Sequence, residues 1–243
     1  MRALRGLAHS AVPAVCAPDI ETDADIALVT RAWLRALGEG LPVVMRGSPA
    51  VATIAGNSAA EGPIAPAGPP GPVLVVVGSH VGLAGEQLAH VLAAGPYERL
   101  ELDVETLLAA GTRHVRSVAA AISNRLERDG VAIVATPRRV KQAHRDIRVA
   151  AALARKVARV VRSIEPRPQS VVTKGGITSA VIAREGFGAE WATVLGPILP
   201  GVALWRLEGS GGRVEQAVVP GNIGGADLLT RVLERLMART ILV

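Results

Sequence analysis

Apolar positions fall along this chain in blocks whose period changes several times, and each change marks an element. Ile26, Val29, Trp33 and Leu37 recur at three- and four-residue intervals, which predicts an amphipathic helix from about Ala24 to Leu37, entered through the turn and cap residues of Asp19–Asp23. The short apolar runs Ala11–Ala17 and Leu41–Met45 on either side of it read as strands, and Arg46–Pro49 opens a short helix ending near Gly56. Asn57–Pro72 breaks the pattern with closely spaced prolines and glycines and reads as a flexible loop.

From Val73 the blocks become regular. Val73–Val77 is a continuous, mostly β-branched run that predicts a strand buried on both faces, as in a parallel sheet. Gly78-Ser79 supplies a turn at its carboxyl end, and Gln87, Leu88, Val91 and Leu92 mark the following helix. Leu100–Val104 is extended, Val115–Arg128 helical, and Val131–Ala135 a second buried strand. A long amphipathic helix covers Arg145–Ile164, and Pro166 and Pro168 stop it before a strand that starts at Gln169. That strand ends in Thr173-Lys174-Gly175-Gly176-Ile177-Thr178-Ser179, with a helix-like pattern from Ala180.

Beyond it, Trp191–Leu195 and Val202–Leu207 are strands joined through Pro197 and Pro200, and Val214–Val219 pairs back across the turn Gly209–Gly212 as an antiparallel hairpin. Pro220-Gly221-Asn222-Ile223-Gly224-Gly225 then leads into a last helix, Ala226–Ala238. Strands alternating with helices give an α/β fold: a mainly parallel sheet flanked by helices, with the antiparallel hairpin at its C-terminal end. Residues 1–56 form an N-terminal αβ segment of the same domain, 57–72 the loop, and 73–243 the α/β core.

Composition narrows the function. With 49% hydrophobic and 20% charged residues in 243, a packed core is expected; with aromatics at 2%, Ala, Val, Leu and Ile must build it. A single cysteine, Cys16, excludes an internal disulfide framework and reads as a buried thiol in a reducing compartment. No signal-peptide pattern and no membrane-length apolar run occurs, so a cytoplasmic protein is expected. The net charge of +6 concentrates in Arg113–Arg128 and Arg138–Arg162. Without stacking aromatics these read as solvated helix faces rather than a nucleic-acid surface.

The candidate chemistry lies in the glycine turns. A strand, a double glycine and a helix N-terminus offer backbone N–H groups and a favourable dipole to an anion such as a phosphate. The glycine spacing around Lys174 is not that of a P-loop, and a turn that merely needs positive φ would look the same. Thr178 or Ser179 could cap the helix or donate to a phosphate oxygen. Lys174 could add charge, although a lysine ending a strand more often faces solvent. Asn222 could bond a nucleotide or only its own turn, and His80 could orient Ser79 or be structural. No His spacing suggests a resident metal, and no pair of carboxylates forms a general base, so catalytic residues are left unassigned.

Val77-Gly78-Ser79-His80-Val81, Thr173–Ser179, Val194–Val202 and Val219–Gly224, in that order, make the chain similar to the C-terminal nucleotide-binding domain of the four-carbon acid sugar kinase family, long known as a domain of unknown function. The resemblance runs from about Pro18 to the C-terminus. It implies ATP, with Mg²⁺ as counter-ion, bound by Ser79, Gly175, Gly176, Ile177, Thr178 and Gly221, and phosphorylation of a threonate- or erythronate-type acid. Two departures stand out. Where the family commonly has hydroxyl residues and an Arg-Gln pair, this chain has Ala84-Gly85-Glu86-Gln87, and a glutamate facing phosphates would oppose them. The family's N-terminal substrate domain, with its Asp-Asp-x-Thr-Gly type motif, has no counterpart in these residues. The expectation is therefore an ATP-binding domain inactive alone, which needs a missing or separately encoded substrate domain. The alternative is a non-catalytic nucleotide-binding or regulatory protein. A homodimer is left open.

Overall fold

The structure, a computed structural model, describes residues 2–10, 12–47, 51, 63–66, 70–78, 82–109, 111–136 and 147–238. The chain divides into two compact units, residues 1–62 and 63–243.

In the first unit, α1 (Arg2–Ala8) is followed by α2 (Asp23–Gly38). Thr22 and Asp25 begin α2 with a reciprocal capping box, in which each side chain accepts from the other residue's backbone N–H. Arg5 bonds Glu39 through both Nε and a terminal nitrogen, at 2.8 and 2.6 Å. The two flanking strands expected from sequence are not there. Residues 12–17 and 41–47 are irregular and mostly exposed, and Cys16 is exposed rather than buried. Pro13, Pro18 and Pro42 lie in or beside these runs, and no described segment offers either one a ladder. Most of the helix expected after Arg46 lies outside the described residues.

The second unit is built on a sheet. Its strands are β1 (Val73–Val77), β2 (Arg99–Glu101), β3 (Val131–Ala135), β4 (Ser170–Lys174), β5 (Ala189–Leu199), β6 (Val202–Gly209) and β7 (Val214–Val219). They lie in the order β2-β3-β1-β4-β7-β6-β5. The pairs from β2 to β7 are parallel; β7-β6 and β6-β5 are antiparallel. The α/β reading with its C-terminal antiparallel strands is what the structure shows. β5 and β6 are longer than expected: β5 runs through Pro197, with register shifts that let the proline sit in an edge strand.

Period two explains the two-sided burial. Along β1, Leu74 and Val76 enter one core, and Val73, Val75 and Val77 the other. The helices α3 (Gly82–Ala93), α4 (Val104–Ala109), α5 (Thr112–Asp129), α6 (Ile147–Arg162), α7 (Gly176–Val181, continued by a wide turn Ile182–Gly186) and α8 (Leu228–Met237) cover the sheet. Leu88 and Val91 of α3 and Leu229 and Val232 of α8 fill the second core; Ile122 of α5 and Val157 of α6 fill the first. The extended segment expected at Leu100–Val104 is strand β2 over its first residues, and α4, which was not expected, follows from Val104, where Asp103 caps it by accepting from the Thr106 N–H at 2.9 Å. The arginines of α5 and α6 lie on the outer faces: Arg125 donates to the Glu98 carbonyl and Arg162 to that of Glu185.

Candidate functional site

Helices α3 and α6 place a crevice at the carboxyl edge of the sheet. The chain leaves β1 into α3 on one face, and leaves the neighbouring β3 and β4 into α6 and α7 on the other. Open α/β sheets bind ligands where the direction of winding reverses in this way. A cleft of about 220 Å³ lies there. Its floor is apolar, from residues such as Val76, Val134 and Leu153, and its rim is formed by Gly78, Thr136 and the turn Gly175–Thr178. The Thr136 hydroxyl is buried on this rim and meets no partner among the described residues.

The first glycine turn is built tightly. Gly175 has φ +107° and ψ 133°, a conformation costly for any residue with a Cβ, and its N–H donates to Val219 O at 2.9 Å. Helix α7 therefore begins at Gly176, four residues earlier than expected. The N–H groups of Gly176, Ile177 and Thr178 belong to its first turn and have no acceptor within the helix. A Cβ on Gly176 would meet nothing within 4 Å, and Ile177 is 55% exposed, so the turn presents its amides to open space. Gly78 closes the other side: a Cβ there would lie 2.5 Å from Thr178 Oγ1.

Neither Thr178 nor Ser179 caps the helix. The N-cap is Gly175, with no side-chain bond, and Ser179 lies inside the helix with its Oγ donating back to Gly175 O at 2.8 Å. Ser179 belongs to a buried network. Gln216 of β7 donates through Nε2 to Thr173 Oγ1 at 2.8 Å and to Ser179 O at 3.0 Å, and Thr173 and Ser179 share a hydroxyl bond of 2.8 Å. These three residues lock the turn to β4 and β7 from below.

Lys174 does not face solvent. It is fully buried, its Nζ donates to Pro220 O at 2.8 Å, and burial pushes its ammonium below the usual lysine range. A strand end is normally wet, but here the turn after β7 folds over it. That turn holds Gly221, beside the first glycine turn although not in the cleft wall, and Asn222, which is exposed. Gln87, also fully buried, donates through Nε2 to Ile223 O at 3.0 Å and Gly225 O at 2.9 Å.

Of the residues expected at the site, Gly175, Gly176, Ile177 and Thr178 line one cleft, Gly221 lies on the adjacent strand end, and Ser79 and His80 fall outside the described residues. Glu86 is exposed and is not in the cleft wall. The sequence pattern assigns no supporting role to Gln87, Thr173 or Gln216. The signal for Gln87 was an amide on the apolar stripe of α3; for Gln216, an amide at an inward position of β7. Among the described residues no group of three His, Cys, Asp or Glu side chains could hold a metal ion. No described helix is long and apolar enough to cross a membrane.

Residues 74–229 match the family model described as a nucleotide-binding C-terminal domain. Among solved structures, the chain is similar to a domain of unknown function from Bordetella bronchiseptica, a domain-swapped dimer with bound citrate. The identity is 23% and the TM-score 0.57, over 92% of this chain and 53% of that one. It is also similar to a Haemophilus influenzae protein of the same domain-of-unknown-function family, at 18% identity and TM-score 0.64, over 89% of this chain and 52% of that one. Likeness at these identities is likeness of fold. This chain spans about half the length of the solved structures it matches. No curated protein matches it.

Proposed function

The chain belongs to the nucleotide-binding C-terminal domain family, and on that premise we propose that it is the ATP-binding part of a kinase that phosphorylates four-carbon sugar acids of the threonate or erythronate type. The observation that carries the reading is the cleft at the winding reversal, rimmed by Gly78 and by the Gly176–Thr178 amides, which have no acceptor within the helix. In this reading those amides and the Thr178 hydroxyl hold triphosphate oxygens, Gly221 approaches from the neighbouring turn, Ser79 adds a further contact, and the apolar floor excludes water. Mg²⁺ would arrive with ATP and neutralise charge between the phosphates.

Phosphoryl transfer depends chiefly on holding donor and acceptor in line. The residues here account for the donor side alone, so the acid is assigned to a substrate domain outside these 243 residues. Activity without that domain is not expected.

Calorimetric titration of ATP·Mg²⁺ into the chain, beside a Gly176→Val/Gly221→Val variant, tests the binding. Saturable heat in the unmodified chain that weakens at least about tenfold in the variant is expected, a loss of about 1.4 kcal/mol. No heat in the unmodified chain overturns the reading. Adding a substrate domain with threonate or erythronate, and following ADP release, tests the chemistry. Tight ATP binding with no turnover for any such pair would leave a non-catalytic nucleotide-binding role.

A further inference from the structure

Lys174 has none of its surface exposed, and lysine is almost never fully buried unless paired. Its described partner is a neutral group, the Pro220 carbonyl, which compensates an ammonium far less than a carboxylate would. Stability alone does not account for this lysine, because an apolar side chain of the same length would fill the space without the desolvation cost that lowers its proton affinity. What the ammonium supplies is a fixed point for one carbonyl.

Gln87 supplies two more. Its amide bonds Ile223 O and Gly225 O, so the carbonyls of residues 220, 223 and 225 are all held by two fully buried side chains, one from β4 and one from α3. The segment has little backbone bonding of its own. Residues 221–222 form a turn and the rest of Pro220–Gly225 has no regular structure; Gly224 sits at φ +80°, and the described bond leaving the segment is Leu228 N–H to Gly225 O at 3.2 Å. Apart from these side chains, the described holds on the segment are the turn at residues 221–222 and the packing of Ile223 against the second core, and neither bonds the carbonyls of residues 223 and 225.

We infer that Lys174, together with Gln87, is a positioning residue that sets the conformation of the 220–225 turn, so that a phosphate-bearing ligand at the neighbouring 176–178 amides meets a preformed second wall. The role of the wall rests on the nucleotide reading above; the positioning itself does not.

The experiment uses the full chain without nucleotide first. Backbone ¹⁵N order parameters are measured for the unmodified chain, Lys174→Met, Gln87→Met and a Val172→Ala control on the same face of β4. In Lys174→Met and Gln87→Met the amides of residues 221–225 should fall from about 0.85 to below about 0.6, with residues 176–178 unchanged. The thermal midpoint of Lys174→Met should hold or rise, since a buried charge has been removed. Val172→Ala should lower the midpoint and leave the turn rigid.

A turn that stays rigid in both methionine variants, or loosens equally in Val172→Ala, overturns the inference. Should Lys174→Met fail to fold, Gln87→Met decides by the same criterion. ATP·Mg²⁺ titration then separates the two readings. Loosening of the turn with at least about tenfold weaker binding supports both. Loosening with no ATP binding to the unmodified chain keeps the positioning role and removes the nucleotide role. A rigid turn in a chain that binds ATP does the reverse.

Discussion

Gly175 and Gly176 are adjacent glycines with opposite demands, and alanine at each separates the backbone requirement from the ligand requirement. At Gly175, φ +107° and ψ 133° place the residue where a Cβ is strained. Holding a non-glycine residue in such a region costs about 1–3 kcal/mol. At Gly176 the backbone is helical and a Cβ would meet nothing within 4 Å. Alanine there should be neutral or favourable by up to ~1 kcal/mol, the cost of glycine in a helix. For a chain of this size each kcal/mol moves the thermal midpoint by roughly 2–4 °C. Gly175→Ala should therefore lower the midpoint by roughly 2–12 °C, and Gly176→Ala should leave it unchanged or raise it by up to ~4 °C. Circular dichroism melts at fixed pH and ionic strength check both. Titration with ATP·Mg²⁺ should rank the variants differently: Gly176→Ala adds a methyl beside the first-turn amides and should weaken binding although the fold is intact. Equal destabilisation by both substitutions would refute the backbone argument. Unchanged ATP affinity in Gly176→Ala would refute a phosphate over this turn.

Gln216→Leu removes the donor to Thr173 Oγ1 and Ser179 O within a buried network, and should cost about 1–3 kcal/mol per group left unsatisfied. An unchanged urea midpoint would show that the network contributes nothing. Gly78→Ala drives a Cβ to 2.5 Å from Thr178 Oγ1, and overpacking of this kind costs about 1–3 kcal/mol. Adding Thr178→Ala should recover part of the loss, whereas strict additivity would mean that the two residues do not meet. In the first unit, the Arg5 guanidinium holds the Glu39 carboxyl at about 2, against an ordinary 4.5, mainly by hydrogen bonding. The pair therefore stabilises that unit fully above pH 4.5 and loses its effect as pH falls toward 2, where Glu39 protonates. A ¹³C carboxyl titration should place Glu39 low and move it back up in Arg5→Gln; an unmoved midpoint would mean the pair does not persist in solution.

The buried strands β1, β3 and β4 were legible because a run of Val, Ile and Ala longer than a turn, closed by glycine or a hydroxyl residue, has few other homes in a chain of this composition. Ala11–Ala17 and Leu41–Met45 carry the same local signal, and their described residues form no strand. Strand formation is decided by a partner ladder, and apolar character does not report whether one exists. Helix α4 was hidden by its length. At six residues it is too short to show a period, and the informative feature was the cap at Asp103. The start of α7 was misplaced because Thr178 and Ser179 are residue types that favour caps, yet here Gly175 takes the cap position by its dihedral angles and Ser179 serves a tertiary network. The glycine turns themselves were legible, since close backbone approach leaves little choice of residue. Their supports were not: Gln87, Thr173 and Gln216 are ordinary polar residues until the fold brings α3, β4 and β7 together.

β4 ties these supports into one device. Successive side chains of a strand point to opposite faces, so Thr173 and Lys174 must serve different sides of the sheet. Thr173 turns toward Ser179 and Gln216, under the first glycine turn; Lys174 turns toward Pro220, under the second. Because β4 lies between β1 and β7, both turns leave the same edge at neighbouring strand ends, and two consecutive residues hold them from below. A one-residue slip of β4 would exchange the two faces, placing an ammonium in a network of hydroxyls and amides and a hydroxyl where the Pro220 carbonyl needs a long donor. The order Thr173-Lys174-Gly175-Gly176 is thus fixed by geometry: a polar support for each face, then a residue that can reverse the chain, then one whose amide has no acceptor within the helix. Lys174 looked like a solvent-facing residue because a strand end is usually bare. This end is covered, and the covering loop is the one the lysine holds.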